Sequence, residues 1–178
     1  MSGITAPETL AEYKKEYVKE ADTYMTVNTF FFPETVTVLK TLKSQGAQIG
    51  IISTKFRFRI REMVDQHFPK DFFDIIIGGE DVKQAKPDPQ GIKKALRRLH
   101  RQKNETLYIG DSTVDAETAQ AAKVDFVGVL NGMTTREELI VYPHRQILDN
   151  LSLLPLIHKF TPCLLYTSDA ADDSLRVD

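Results

Sequence analysis

Leu107-Tyr108-Ile109-Gly110-Asp111-Ser112-Thr113-Val114-Asp115 is the stretch that decides the fold of this chain. Its apolar start reads as a short buried strand, and two carboxylates follow, four residues apart, on a turn and the first turn of a helix. Gly110 is expected to let the backbone turn sharply, so that Asp111 projects from the carboxyl end of the strand. In open α/β sheets that edge is where ligands bind. A hard divalent cation such as Mg²⁺ takes one or two carboxylates and keeps several waters, so acids at a strand end suit it. Ordinary capping of the helix by Asp111 or Ser112 accounts for the same letters equally well.

Two further segments bear on that choice. Gln48-Ile49-Gly50-Ile51-Ile52 is a strand-like run ending in Ser53-Thr54-Lys55, where hydroxyls and backbone N–H groups can hold phosphate oxygens. Lys86-Pro87-Asp88-Pro89 lies between a strand over 74–77 and a helix starting near Pro89, and its lysine supplies a point charge for a phosphate. Taken singly, Ser53-Thr54 is also ordinary turn chemistry and Lys86 also an ordinary solvated lysine. The order strand-Ser-Thr, Lys-Pro, strand-Gly-Asp-x-x-x-Asp is far more specific than any of its parts.

Working outward, strand and helix alternate. Pro33 opens a helix with Val36, Leu39 and Leu42 inward, and Gly46 stops it. Strands are expected over 48–52, 74–77, 106–109 and 126–130, with helices over about 59–67, 89–102 and 114–122. Residues 55–61 alternate Phe56, Phe58 and Ile60 with basic residues, but Ile60, Met63, Val64 and His67 fit a helix, so a loop then a helix is expected. The alternation predicts an α/β fold, a parallel sheet with helices on both faces. Before it, Thr5-Ala6-Pro7-Glu8 reads as a capping box, and Leu10, Tyr13, Tyr17, Ala21 and Met25 form one apolar helical stripe.

These motifs resemble those of the haloacid dehalogenase-like (HAD) hydrolases, in particular small-molecule phosphatases of the phosphoglycolate phosphatase and pyrophosphatase type. Ser53 falls on that family's second motif, Lys86 on its third, and Asp111 and Asp115 on its fourth; Val124 to Gly132 resembles its last core strand and glycine-bearing loop. The resemblance covers roughly residues 5–154. It implies a Rossmannoid three-layer fold, a Mg²⁺ cofactor and a small phosphorylated metabolite, phosphoglycolate-like, as substrate. It makes Asp111 the direct Mg²⁺ ligand, with Asp115 holding a metal-bound water or orienting Lys86. Ser53 and the backbone of Thr54 would bind phosphate oxygens, and Lys86 would balance charge, Ser53 and Lys86 thereby serving catalysis. Lys55 and Arg57 could attract a second anionic group of the substrate, and an ordinary surface role accounts for them at least as well.

One departure stands out. Family members begin with a central strand carrying Asp-x-Asp-x-Thr, whose first aspartate accepts the phosphoryl group, and this chain contains no Asp-x-Asp. The expectation is an N-terminally truncated phosphatase, lacking the first, central strand and most of the helical cap, and inactive as it stands. Residues 1–30 are then a cap remnant, 31–158 the core domain, and 159–178 a tail with no period joining it to the core, non-native-looking or disordered. A sheet without its central strand is expected to leave two unpaired facing edges unless they close on each other. Alternatives are a pyrophosphatase or phosphosugar mutase of the same superfamily, or a non-catalytic fragment. A bacterial receiver domain is rejected because its aspartate precedes the other motifs, and a dinucleotide-binding domain lacks its Gly-x-Gly-x-x-Gly here.

Composition narrows the partners. A net charge of −2 over 178 residues argues against a nucleic-acid or membrane-surface partner. The basic residues Lys93, Lys94, Arg97, Arg98, Arg101 and Lys103 read as a solvated helix face. The single cysteine, Cys163, cannot form an internal disulfide, and the four histidines lack metal-ligand spacing. With no signal core and no run long enough to span a bilayer, a cytoplasmic location is expected. Nothing in the sequence sets the oligomeric state.

Overall fold

The computed structural model describes residues 33–157 and 163–167; the expected capping box at Thr5 and the cap remnant over 1–30 lie outside them. Helix α1 (Pro33–Ser44) leads into β1 (Gln48–Ile52) through Gly46, which sits at φ 88°, a left-handed conformation that favours glycine. Then follow α2 (Arg57–Val64), β2 (Ile75–Ile77), α3 (Gln90–Leu99), β3 (Thr106–Gly110), α4 (Thr113–Ala122) and β4 (Asp125–Val129). A short α5 (Arg136–Leu139), β5 (Gln146–Leu148), α6 (Leu154–Ile157) and β6 (Cys163–Tyr166) complete the described elements.

The six strands form one parallel sheet in the order β2-β1-β6-β3-β4-β5. Side chains alternate across it with the strand period of two. Ile49, Ile51, Leu107, Ile109, Val127 and Leu164 pack on one face with Leu39, Leu42, Ile60, Val64 and Leu154 from α1, α2 and α6. Tyr108, Phe126, Cys163 and Leu165 pack on the other with Ile92, Ala95, Ala116 and Ala119 from α3 and α4. This is the expected three-layer α/β architecture. Of the basic residues on and after α3, Lys93, Arg97 and Arg98 are exposed as expected, with Ile92, Leu96 and Leu99 buried beneath them, whereas Lys94 donates to the Asp81 carbonyl (2.6 Å) and Arg101 to Gln48 Oε1 (2.7 Å).

Three expectations are corrected. The place between β1 and β3 is not left as two open edges. Strand β6 fills it, pairing Gln48 and Thr106 with Cys163 and Ile51 and Ile109 with Tyr166. Residues 163–167 therefore belong to the core rather than to a separate tail. The physical reason is that Cys163-Leu164-Leu165-Tyr166 offers buried side chains to both layers at once, as a central strand must. The second correction is β5, too short to stand out in the sequence, which adds an edge strand beside β4. The third is Gly110, which ends β3 as extended backbone and is absent from the positive-φ glycines. Its smallness serves a close approach: a Cβ there would lie 2.7 Å from Asp115 Oδ2.

Candidate active site

The carboxyl ends of three adjacent strands each deliver a polar residue to one edge of the sheet. Ser53 follows β1, Thr167 follows β6 and Asp111 follows β3. All three are buried. The Ser53 amide donates to the Ile77 carbonyl (3.0 Å), while its hydroxyl accepts from the Lys55 amide (3.1 Å). The Thr167 amide donates to the Ile109 carbonyl (3.1 Å), extending the β6–β3 ladder to the start of the Gly110–Asp111 bend.

Lys86 reaches this edge from the segment before α3; its peptide to Pro87 is cis. Its ammonium donates to Asp115 Oδ1 at 2.7 Å and to Thr167 Oγ1 at 2.9 Å. Asp115 is pinned from every side. Its Oδ1 also accepts from the Tyr108 hydroxyl (3.3 Å), and its Oδ2 from Ser112 Oγ (2.6 Å). Ser112 in turn caps α4, its hydroxyl accepting from the Asp115 amide, so the capping account holds for Ser112. With both oxygens engaged, Asp115 orients Lys86.

Asp111 stands at the bend with Gly132 against it, where a Cβ would come within 2.8 Å of Asp111 Oδ2. The downstream glycine loop thus closes on the carboxylate. Among the described residues no three acidic, histidine or cysteine side chains converge on a cation. One hard carboxylate at a strand end is nevertheless the donor Mg²⁺ uses when water and phosphate oxygens supply the rest of its shell. Asp111 fits that role, and Asp115, committed to Lys86, does not.

Ser53, Thr54 and Lys86 line one hollow of about 20 Å³ with Gly78, Gly79 and Thr118. That is room for about one water and too little for a tetrahedral oxyanion. Thr54 is exposed. The two cations expected to draw a second anion part company. Arg57 is committed to Asp81, its Nε donating at 3.0 Å, whereas the Lys55 ammonium is buried with no hydrogen-bond partner among the described residues. Asp81 also accepts from the Gly78 amide (2.9 Å). Burial alone would raise its carboxyl, but Gly78, Arg57 and Lys94 together outweigh burial and hold it below its ordinary value.

Sequence reasoning missed Thr167. The signal was available only in part: a short apolar run before a hydroxyl, the same form as Ile49 to Ser53, but with nothing local to say which strands would flank it.

Comparison with known proteins agrees with this fold. A family model described as haloacid dehalogenase-like hydrolase matches residues 3–129. The chain is 34% identical over 119 residues to pyrophosphatase PpaX of Bacillus mycoides, covering 66% of this chain and 55% of that protein. It is 34% identical over 116 residues to a phosphoglycolate phosphatase of Cereibacter sphaeroides, covering 65% and 52%. The chain thus spans about half the length of these curated relatives. A crystal structure of a haloacid dehalogenase-like hydrolase from Bacteroides fragilis superposes with a TM-score of 0.78 at 54% identity, over 86% of this chain and 73% of that one.

Proposed function

The chain belongs to the haloacid dehalogenase-like hydrolases, and on that premise we propose that its site serves Mg²⁺-dependent hydrolysis of small phosphate esters by way of an aspartyl-phosphate. The observation that carries this reading is the Lys86 ammonium, held by buried Asp115 and directed at the end of the central strand between Ser53 and Asp111. Phosphoryl transfer needs charge on the phosphoryl oxygens neutralised by positioned donors, and a low-dielectric strand edge makes each donor count for more. Ser53 Oγ and the Thr54 backbone hold phosphate oxygens, and Lys86 offsets their charge. Asp111 would hold Mg²⁺, which when bound neutralises further charge on the same oxygens.

The substrate is a small phosphorylated metabolite with a second anionic group. Lys55 supports this, because its ammonium is buried without an acceptor among the described residues, which is costly until an anion pairs with it. The carboxylate of 2-phosphoglycolate or the second phosphoryl group of pyrophosphate supplies such an anion, in keeping with the names of the two relatives.

Turnover needs an acceptor for the phosphoryl group. Beside Lys86 this chain places Thr167, an alcohol, and the chain as it stands is inactive on that account. Thr167→Asp tests both halves of the reading, since with Asp169 it recreates the Asp-x-Asp spacing. The chain and the variant are assayed on 2-phosphoglycolate, pyrophosphate and sugar phosphates, with Mg²⁺ and with chelator. We expect background rates from the chain and Mg²⁺-dependent phosphate release from Thr167→Asp. Equal turnover by both would remove the inactivity, and silence from the variant on every substrate would favour a non-catalytic module.

A further inference from the structure

Charge is unevenly spread along this chain. Residues 83–103 hold eight of its 23 basic residues and one acid, Asp88, although the chain as a whole carries a net charge of −2. Helix α3 contains no acid at all. Its cations stand as helical neighbours, Lys93 with Arg97 and Lys94 with Arg98. Like charges at that spacing repel, whereas a solvated helix face commonly interleaves both signs. Lys94 is relieved by Asp81. Lys83, Lys93, Arg97 and Lys103 are exposed, and their side chains meet no acid and no hydrogen-bond acceptor among the described residues.

These cations border two hollows that share Lys93. One, of about 430 Å³, lies between Lys83, Lys93, Lys94 and Arg97. The acids beside it are already engaged: Asp81 with Arg57 and Lys94, and Asp88 with the Gln90 amide at 2.8 Å. The other, of about 490 Å³, lies between Lys93, Arg101 and Lys103, with the Gln102 and Asn104 amides beside them. Both have the size of a small-molecule site, with a lining of cations and amides that calls for an anion. None of the exposed large hydrophobic side chains falls in 83–104. The face therefore offers neither a stacking platform for single-stranded nucleic acid nor an apolar wedge for a bilayer. A helix of ten residues is about 15 Å long, the reach of a few linked phosphoryl groups.

We propose that the outer face of α3 is an oligophosphate-binding site, taking two or three linked phosphoryl groups, either as a free chain or as the tail of a nucleotide. Successive oxyanions of one ligand bridge Lys93 and Arg97, one helical turn apart, and Lys83 and Lys103 border them on either side. The proposal is independent of the phosphate reading of the strand-end edge and survives its failure.

The full chain is titrated by calorimetry with tripolyphosphate, ATP, orthophosphate, sulfate and a short DNA duplex at matched ionic strength. Tripolyphosphate is also titrated at higher salt, into Lys93→Gln/Arg97→Gln and into a control, Lys70→Gln, an exposed lysine outside this face. Backbone amide signals of 90–99 and 110–115 are followed by NMR. The expected result is tripolyphosphate binding that weakens with salt, exceeds that of orthophosphate and sulfate at least ten-fold, and shifts the amides of 90–99. The double variant should bind at least about ten-fold more weakly, as loss of two charge-assisted contacts implies, and Lys70→Gln should match the wild type. ATP equal to tripolyphosphate makes the phosphate chain the whole ligand, tighter ATP adds a nucleoside in the second hollow, and weaker ATP restricts the site to free chains.

Absence of tripolyphosphate binding, wild-type affinity in the double variant, or shifts confined to 110–115 overturns the site. Equal affinity for sulfate reduces it to diffuse charge and overturns it too. Tighter binding of the duplex, lost in the double variant, gives the face to nucleic acid instead. Both substituted side chains are exposed, so the double variant should keep the wild-type unfolding midpoint; if it does not, the amide shifts of the wild type decide.

Discussion

Lys86 Nζ and Asp115 Oδ1 stand 2.7 Å apart with side chains 6% and 0% exposed, an ion pair sealed inside the sheet edge. Removing one partner of such a pair leaves the other charge buried and uncompensated, at about 3–5 kcal/mol. Asp115→Leu and Lys86→Met should each lower the free energy of unfolding by about that amount. Combined with Asp115→Leu, Lys86→Met should cost less than the sum of the two single changes, because no lone charge remains. Urea unfolding of the four chains measures this, and additive losses would show that the charges are stabilised independently.

Gly110 offers a test of how tightly that pair is built. An added methyl group would press on the Asp115 carboxyl, 2.7 Å from Oδ2. Gly110→Ala should therefore destabilise by about 1–3 kcal/mol, the usual cost of overpacking. It should also shift the Lys86 side-chain NMR signals, which a purely local strain in β3 would leave in place.

Lys55 should show the opposite sign. Its ammonium is buried without a hydrogen-bond partner among the described residues, and an unsatisfied buried donor costs about 1–3 kcal/mol or more. Lys55→Met keeps the length and removes the charge, so the unfolding midpoint should rise. The same variant should lose affinity for 2-phosphoglycolate while keeping its affinity for inorganic phosphate. Equal losses for both ligands would place Lys55 at the phosphoryl group.

Among the described residues, Asp81 and Cys163 contribute to the pH response at opposite ends of the scale. Asp81 is held below 3.8 in the fold, so its contribution is present above that value and fades as pH falls through the lower folded value. Asp81→Asn should lose stability at neutral pH and respond less to acid below about pH 5. At the other end, burial pushes the Cys163 thiol above 9.0. The unfolded thiol ionises first, so stability declines as pH climbs past its unfolded value toward the folded one. Cys163→Ala should abolish that part of the alkaline loss in urea midpoints taken across pH.

Much of this was legible in the sequence because each motif follows a short apolar run. Ile49 to Ile52 and Leu107 to Ile109 announce strands whatever surrounds them, and the residues just beyond, Ser53 and Asp111, inherit their position from the fold rule that ligands meet strand ends. Helix α2 was recognised despite the alternation of Phe56, Phe58 and Ile60, although it begins at Arg57, two residues earlier than its apolar pattern suggested. What was not legible depends on neighbours. Cys163-Leu164-Leu165-Tyr166 carries no period of its own that fixes a partner; only the vacancy between Gln48–Ile52 and Thr106–Gly110 gives it one. The same holds for Asp115, whose letters left open a water-holding or an orienting role until Lys86, Tyr108 and Ser112 were seen to occupy both oxygens.

The pairing of Gln48 with Cys163 also bears on how the molecule is made. During vectorial synthesis β1 to β5 leave the ribosome before the strand that must lie at the middle of their sheet. Until then the ladder edges of β1 and β3 face a gap, and no local hairpin or βαβ unit can close it. Contacts so distant along the chain carry a high contact order, and such topologies fold slowly and expose strand edges while they wait. Chaperone dependence and translation speed between β5 and β6 thus become determinants of yield, independent of how stable the finished sheet is.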